Sequence, residues 1–273
     1  MNSFQPRLIA LDMDGTILNS SSELTPRTKN VIRSAISTGI AVVIATGRMY
    51  PSALPLIKEV GISCPSVFYN GAIVRDPVSG EILHEKGLGI DLTAEIVSYY
   101  KDQGWYIQIY NNDKVYVVDG NDPRTKFYEN ISKIPPVSLG EKLWDFNVDS
   151  TKLLGITLDE TVFPYMVEKT KSRFGSRVYT AVSWGAFVEI AHPEVNKANG
   201  LALVAERLGI DRKDVLAIGD AGNDKEMIVW AGHGVAMGNS SDQLKAVADE
   251  VTLDNDNEGA ATIIERYLSM EAN

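Results

Sequence analysis

Short, continuous apolar runs closed by polar, glycine-containing turns recur in the first and last thirds of this chain. The middle third is patterned differently. Leu8-Ile9-Ala10-Leu11, Ile40-Ala41-Val42-Val43-Ile44-Ala45 and Val215-Leu216-Ala217-Ile218 are uninterrupted apolar segments, as expected of strands buried on both faces of a parallel sheet. Helix-like segments separate them. Thr25-Pro26 combines an N-cap threonine with a proline at the first helical position, and a second helix is predicted over 51–59. After Asn196-Lys197-Ala198-Asn199-Gly200, residues Leu201, Val204, Ala205 and Leu208 share one helical face. Val67-Phe68-Tyr69, Gly234–Met237 and Glu250–Leu253 read as further strands, and a closing helix is predicted over 260–268. This alternation predicts an α/β, doubly wound parallel-sheet core.

From about residue 90 to residue 188 the segments alternate and are rich in β-branched and aromatic residues. Strands are predicted over 105–110, 114–118, 153–158, 177–180 and 186–190, with a hairpin turn at Asn111-Asn112-Asp113. Helices are predicted over 93–103, 123–131 and 161–173. The expected organisation is a discontinuous core, 1–85 and 191–273, with an α+β cap domain inserted at 86–190.

Composition narrows the function classes. The 273 residues are 44% hydrophobic and 23% charged, ordinary for a globular protein. The longest apolar-leaning stretch, 34–47, is broken by Ser, Thr and Gly and falls short of a membrane span. No apolar leader stretch is visible, so no signal peptide and no membrane partner are expected. A single cysteine, Cys64, cannot form an internal disulfide, which fits the cytoplasm. A net charge of −10 without any Lys/Arg-rich stretch argues against a nucleic-acid partner.

The chemistry sits at the ends of the apolar runs. Asp12-Met13-Asp14-Gly15-Thr16 follows the first. Two carboxylates held a few ångströms apart repel by roughly 4 kcal/mol at an effective dielectric of 20, so the pair is a poor choice for stability alone. The carboxyl ends of parallel strands are where open α/β sheets bind ligands, and an Asp pair there points to a hard metal ion beside a nucleophile or acid/base group. Taken singly, Asp-x-Asp-Gly is also a turn sequence. The second run ends in Thr46-Gly47-Arg48 and the third in Gly219-Asp220-Ala221-Gly222-Asn223-Asp224, while Lys197 opens a helix between them. Carboxylates, a hydroxyl and an ammonium together match metal-assisted phosphoryl transfer through an acyl-phosphate.

Simpler readings stand beside several of these residues. Thr46 suits a strand-end cap, Arg48 a surface ion pair, Lys197 a solvated helix start, Asn70 the turn of Asn70-Gly71, and Asn223 and Asp224 a helix cap. His84, His192 and His233 lack metal-ligand spacing. Tyr99, Tyr100, Trp105, Tyr106 and Tyr110 read as core of the insertion rather than a substrate platform, and 254–257 as a solvated loop following a core strand.

In this order and spacing the motifs resemble the haloacid dehalogenase superfamily, and more closely its Cof-type phosphatases, whose large cap lies between the second and third motifs. Tyr69-Asn70-Gly71-Ala72 and Gly234-Val235-Ala236-Met237-Gly238-Asn239 are similar to further family signatures. One departure is Ala198, where the family usually has Gly directly after the motif-three lysine. The resemblance implies that Asp12 attacks phosphorus and that Asp14 acts as acid and then base. Thr46 and Lys197 would complete the catalytic group, and Thr46, Gly47, Arg48, Asn70, Lys197 and Asn223 would bind the phosphate. Mg²⁺ would be held by Asp12, the Asp14 carbonyl and Asp220, with Asn223 and Asp224 in support. It further implies a cytoplasmic phosphomonoesterase, monomer or weak homodimer, acting on a small phosphorylated metabolite such as a sugar phosphate. Two alternatives share an aspartyl-phosphate. One is a phosphotransferase or mutase; the other is a receiver-like phosphoacceptor, against which Asp14 and the large insertion both argue.

Overall fold

The computed structural model describes residues 4–183 and 185–271. Along the chain run β1 (Leu8–Leu11), α1 (Pro26–Ser37), β2 (Ala41–Ile44), α2 (Tyr50–Val60), β3 (Ser66–Phe68), β4 (Ile73–Arg75) and β5 (Ile82–Glu85). There follow α3 (Ile90–Asp102), β6 (Tyr106–Asn111), β7 (Lys114–Val117), α4 (Pro123–Ser132), β8 (Val137–Ser138), β9 (Lys152–Ile156), α5 (Phe163–Phe174), β10 (Tyr179–Ser183) and β11 (Phe187–Ala191). The chain closes with α6 (Lys197–Leu208), β12 (Val215–Gly219), α7 (Lys225–Trp230), β13 (His233–Ala236), α8 (Asp242–Lys245), β14 (Glu250–Val251) and α9 (Gly259–Glu271). Two compact units emerge: residues 1–47, 53–84 and 196–273 form the first, and 48–52 with 85–195 the second. The first therefore has its internal boundaries near, but not at, 85 and 191, and the short segment 48–52 goes with the second unit.

The first unit is built on a parallel sheet of order β14-β13-β12-β1-β2. β1 lies between β12 and β2, with Leu11 level with Ile218 on one side and Ile44 on the other. Strand order thus reverses about β1, the switch point at which open sheets form a crevice. All four residues of β1 are fully buried, which accounts for the unbroken apolar run. Leu8, Ala10, Val43, Ala45 and Val67 pack with Leu201, Val204 and Ala205 of α6 and Met227 of α7. On the other face α1 packs on β2 and against α9. The α1 start is as the sequence predicts, with the Thr25 hydroxyl accepting from the Thr28 N–H and Pro26 in the first turn. Val67-Phe68-Tyr69 does not extend as a whole. β3 ends at Phe68 and belongs to a separate sheet of order β3-β4-β5, because Tyr69 and Asn70 both turn into the left-handed region, at φ 51° and 57°.

The second unit carries a sheet of order β10-β11-β9-β6-β7-β8, antiparallel apart from the β7–β8 pair. One face is apolar: Ile107, Ile109, Leu153, Val188 and Ile190 pack with Ile96, Val97 and Tyr100 of α3 and Met166 and Phe174 of α5. The other mixes polar and aromatic groups with aliphatic ones, Leu154 lying opposite Gln108 and Ile156 opposite Tyr106. The aromatic group is divided between the two faces: Tyr99 and Tyr100 of α3 meet Trp105 edge to face in the core, while Tyr106 and Tyr110 of β6 join a hydrogen-bonded chain through Gln108. β10 starts two residues later than predicted, since Gly175 to Arg177 form a tight 3-10 turn after α5.

The departure at Ala198 has a packing explanation. α6 starts at Lys197, capped by the Asn196 side chain, which accepts from the Asn199 N–H at 2.8 Å, so Ala198 is an ordinary helical residue. The close approach falls at Gly200 instead, where a Cβ would lie 2.6 Å from Val67 Cγ1 and 3.2 Å from Gly71 Cα. In an open helix Gly→Ala stabilises by about 1 kcal/mol. Here Gly200→Ala should destabilise by about 1–3 kcal/mol through overpacking, and Val67→Ala in the same chain should recover part of the loss. Thermal unfolding of the two variants checks the sign; a stabilised Gly200→Ala would refute the contact.

Candidate active site

Four strand-end loops and one helix start of the first unit supply the polar groups. Asp12 follows β1 directly, and its N–H donates to the Ile218 carbonyl at 3.0 Å, which continues the ladder one residue past the strand and fixes where the carboxylate emerges. The chain then coils back, with the N–H groups of Ile17 and Leu18 both donating to the Met13 carbonyl at 3.1 and 3.0 Å. Gly15 makes this loop possible on two counts. Its φ is +81°, and a Cβ there would lie 2.4 Å from an Asp220 carboxylate oxygen. Asp14 is exposed on the same loop.

Lys197 is the centre of the site. It is fully buried, and its Nζ lies 2.5 Å from both Asp12 Oδ1 and Asp224 Oδ1. An ammonium at a helix N-terminus opposes the helix dipole, so the two carboxylates must offset both that and desolvation. Burial works against the charged lysine, yet Asp12 and Asp224 outweigh it and hold its pKa above the ordinary value. Asp224 Oδ2 in turn accepts from the N–H groups of Asp220 and Ala221 at 3.0 and 2.9 Å. Both its oxygens are thereby engaged, and it ties the loop after β12 to Lys197. Asp220 Oδ1 accepts from the Thr16 hydroxyl at 3.0 Å.

Burial pushes the Asp12 carboxyl well above its usual range, against the pull of Lys197, with Asp224 and Asp220 adding repulsion. Burial likewise pushes Asp220 up to about 6, with Asp224 as the next cause. Ligand atoms of Asp12, Asp220 and Asp224 lie within 4.8 Å of one another. Three carboxylates against one ammonium leave an excess of negative charge that a cation relieves. The donors are all oxygens, which fits a hard divalent cation, and because Asp224 is committed to other partners the protein supplies only part of a shell. A cation that keeps several waters suits such a set.

The remaining predicted residues divide by position. Thr46, almost fully buried, lies two residues past β2, and its carbonyl accepts from the Asn70 N–H at 3.0 Å. Gly47 lies against Asn70, where a Cβ would be 2.9 Å from the amide oxygen. Asn70 is buried in a left-handed turn, and its Oδ1 accepts from Asn223 Nδ2 at 2.8 Å. Consecutive left-handed residues that are not glycine, Tyr69 and Asn70, are costly and are held here by the surrounding structure. Arg48, half-buried, is the first residue of the segment that goes with the second unit. His84, His192 and His233 take no part in the acidic cluster.

A family profile of haloacid dehalogenase-like hydrolases matches residues 9–264, nearly the whole chain. The chain belongs to this family. It is a hydrolase of the Cof type. Phosphatase YwpJ of Bacillus subtilis strain 168 is 27% identical over 285 aligned positions, covering 96% of this chain and all of that one. The 5-amino-6-(5-phospho-D-ribitylamino)uracil phosphatase YitU of the same organism is 29% identical, over 97% of this chain and 99% of its own. Among solved structures, a haloacid dehalogenase-like hydrolase from Bacteroides thetaiotaomicron superposes with a TM-score of 0.88 at 29% identity, covering 96% of this chain and 99% of that one.

Two features of the hydrolase carry little local sequence signal. Thr16 was read only as part of the Asp12–Thr16 motif, and its hydroxyl is a direct partner of Asp220. In the second unit Lys152 is buried and paired with Glu189 at 3.3 Å, and Ser183 donates to the same carboxylate at 2.7 Å. Lysine at the start of a buried strand goes against the hydrophobic pattern, and that mismatch was the only available hint.

The Lys197 arrangement predicts a pH-dependent cost. Lys197→Met leaves buried Asp12 and Asp224 without their cation and should cost about 3–5 kcal/mol near neutral pH. Because the Asp12 pKa is raised on folding, protonation favours the folded state, so the loss should shrink as pH is lowered towards about 5. Unfolding of the metal-free variant across that range checks this, and a pH-independent loss would contradict it.

Proposed function

We propose that this hydrolase cleaves the phosphoric monoester of a small phosphorylated metabolite through an aspartyl-phosphate on Asp12, with Mg²⁺ as its cation. The observation that carries the reading is the buried Asp12–Lys197–Asp224 bridge with Asp220 beside it, at the switch point of the sheet. A carboxylate cannot approach a phosphate dianion without positive charge alongside it, and Lys197 is held charged where that approach would occur.

Lys197 donates to Asp12 Oδ1; that oxygen would also face the cation, and Oδ2 would be the nucleophile. Oδ2 forms a bond to phosphorus as the bond from phosphorus to the ester oxygen breaks, and Asp14 gives its proton to the departing alkoxide. The same Asp14 then takes a proton from water, whose oxygen displaces Asp12 from phosphorus and releases inorganic phosphate. Exposure of Asp14 suits a group that exchanges protons with solvent. Thr46, Gly47, Asn70 and Asn223 would bind the phosphoryl oxygens, and Arg48 would add positive charge. Asp12, the Asp14 carbonyl and Asp220 would hold Mg²⁺, with Asn223 in support, while Asp224 supports by fixing Lys197. Bound there, the cation would screen the anionic phosphate from the carboxylates.

The second unit would select the ester. Apart from Arg48, the residues assigned to the reaction lie in the first unit. The second invests in a polar sheet face, Lys152–Glu189 and the Tyr106–Gln108–Tyr110 chain, whose charge pair is weak evidence for stability alone. YitU is named for a phosphorylated ribityl compound, and a sugar phosphate or similar polyhydroxylated ester is the class we assign here. The cytoplasm is the matching compartment, given a lone cysteine and no helix among the described residues long and apolar enough to cross a membrane.

Two experiments test this reading. Asp12→Asn should abolish phosphate release, because an amide is too weak a nucleophile. Wild-type activity should vanish in chelator and return with Mg²⁺ but poorly with Ca²⁺, whose looser shell misplaces the carboxylates. Turnover by Asp12→Asn would sink the covalent route, and full activity in chelator would sink the cation. For the second unit, Lys152→Gln with Glu189→Gln should lower kcat/KM for the best metabolite by about tenfold or more and leave a small aryl phosphate within about twofold, since only the former draws on remote binding energy. An equal fall in both would refute the division of labour.

A further inference from the structure

Asn239, three residues past β13, is exposed and lies outside the Asp12–Lys197–Asp224 bridge. Its contacts are nevertheless specific. Nδ2 donates to the Gly15 carbonyl at 2.9 Å and to Asp220 Oδ2 at 3.2 Å, while Oδ1 accepts from the Asn255 N–H at 3.2 Å. An asparagine amide has two N–H donors and one carbonyl, so every polar group of this side chain is in use. Asn255 Nδ2 donates to the Leu18 carbonyl at 3.0 Å, and the Ser20 N–H and hydroxyl both donate to the Asp256 carboxylate at 2.8 and 2.7 Å. The Gly238 N–H donates to the Leu253 carbonyl at 3.0 Å. Loops after β13 and β14 therefore clasp the loop that carries Asp12 and Asp14.

We propose that Asn239, backed by Asn255, is a positioning residue that orients the Asp220 carboxylate towards Asp12 and so sets the affinity of the site for a divalent cation. The inference rests on the reading that Asp12 and Asp220 hold that cation. Asp220 has one oxygen held by Thr16 and the other by Asn239, and a carboxylate has about four lone-pair sites, so it retains capacity for a ligand. Asp224 repels the Asp220 carboxylate, and the two donors hold it in place beside Asp12. Asn239 also holds the Gly15 carbonyl, so one side chain fixes the spacing between the two loops that bear the ligands. A partner that orients a ligand in this way is typically worth about 10–100-fold in metal affinity.

The test is a Mn²⁺ titration of the whole protein without substrate, read as free Mn²⁺ by electron paramagnetic resonance. Asn239→Ala should bind Mn²⁺ about 10–100-fold more weakly than wild type, with kcat at saturating Mg²⁺ much less affected than the Mg²⁺ concentration required. Asn257→Ala removes a bond within the 254–257 loop, from Nδ2 to Asp254 Oδ1 at 2.9 Å, and should leave Mn²⁺ affinity unchanged. Asn239→Ser lacks the amide donors and carries the same expectation as Asn239→Ala should that variant fail to fold. Unchanged affinity in a folded Asn239 variant overturns the proposal. So does an equal loss in Asn257→Ala, which would make the effect one of loop packing, or failure of both Asn239 variants to fold. Wild-type protein that binds no Mn²⁺ would instead refute the cation reading, and this inference with it.

Discussion

A lysine buried without access to solvent, held between two carboxylates 2.5 Å away, is the interaction on which the rest of the first unit depends. Each charge in it would be costly alone, and removing any one leaves the others uncompensated. The three residues come from the end of β1, the start of α6 and the turn after β12, so satisfying the charges fixes how three separate segments converge. Gly15 and Gly200 follow from that convergence. One lets the loop after β1 pass against Asp220, and the other lets α6 settle on Val67 and Gly71.

The bridge also explains why the acidic groups behave differently from one another. Asp224 spends both oxygens on Lys197 and on two backbone N–H groups and acts as scaffold. Asp12 accepts from Lys197 through one oxygen and Asp220 is held by hydroxyl and amide donors, and neither uses all of its carboxylate's lone-pair sites on these bonds. Their pKa values are raised first by burial and then by negative charge gathered beyond what one lysine offsets. Such crowding is tolerated where a substrate and a cation complete the balance.

The second unit solves a different problem. Its sheet hides one face beneath α3 and α5 and gives the other a chain of phenols, an amide and an ion pair. Lys152 is kept charged because Glu189 overcomes the penalty of burial. The residues proposed for the reaction belong almost entirely to the other unit, so changes on this face would leave them in place.

What the sequence by itself determined were the features written in short-range pattern. Buried parallel strands require unbroken apolar runs, so β1, β2 and β12 could be placed, and the polar residues closing them followed. The capped start of α1 and the change to alternating aromatic strands were legible for the same reason. The tertiary structure alone decided which groups meet. Asp12 and Lys197 are 185 positions apart and Asn223 and Asn70 are 153 apart, and no local periodicity encodes such pairings. Asn239 reads as a loop residue until Gly15 and Asp220 are beside it, and Tyr69 reads as strand until the packing of its turn forces it to positive φ. Burial and turn chemistry act between neighbours in sequence, whereas charge compensation acts between neighbours in space, which exist only once the chain has folded.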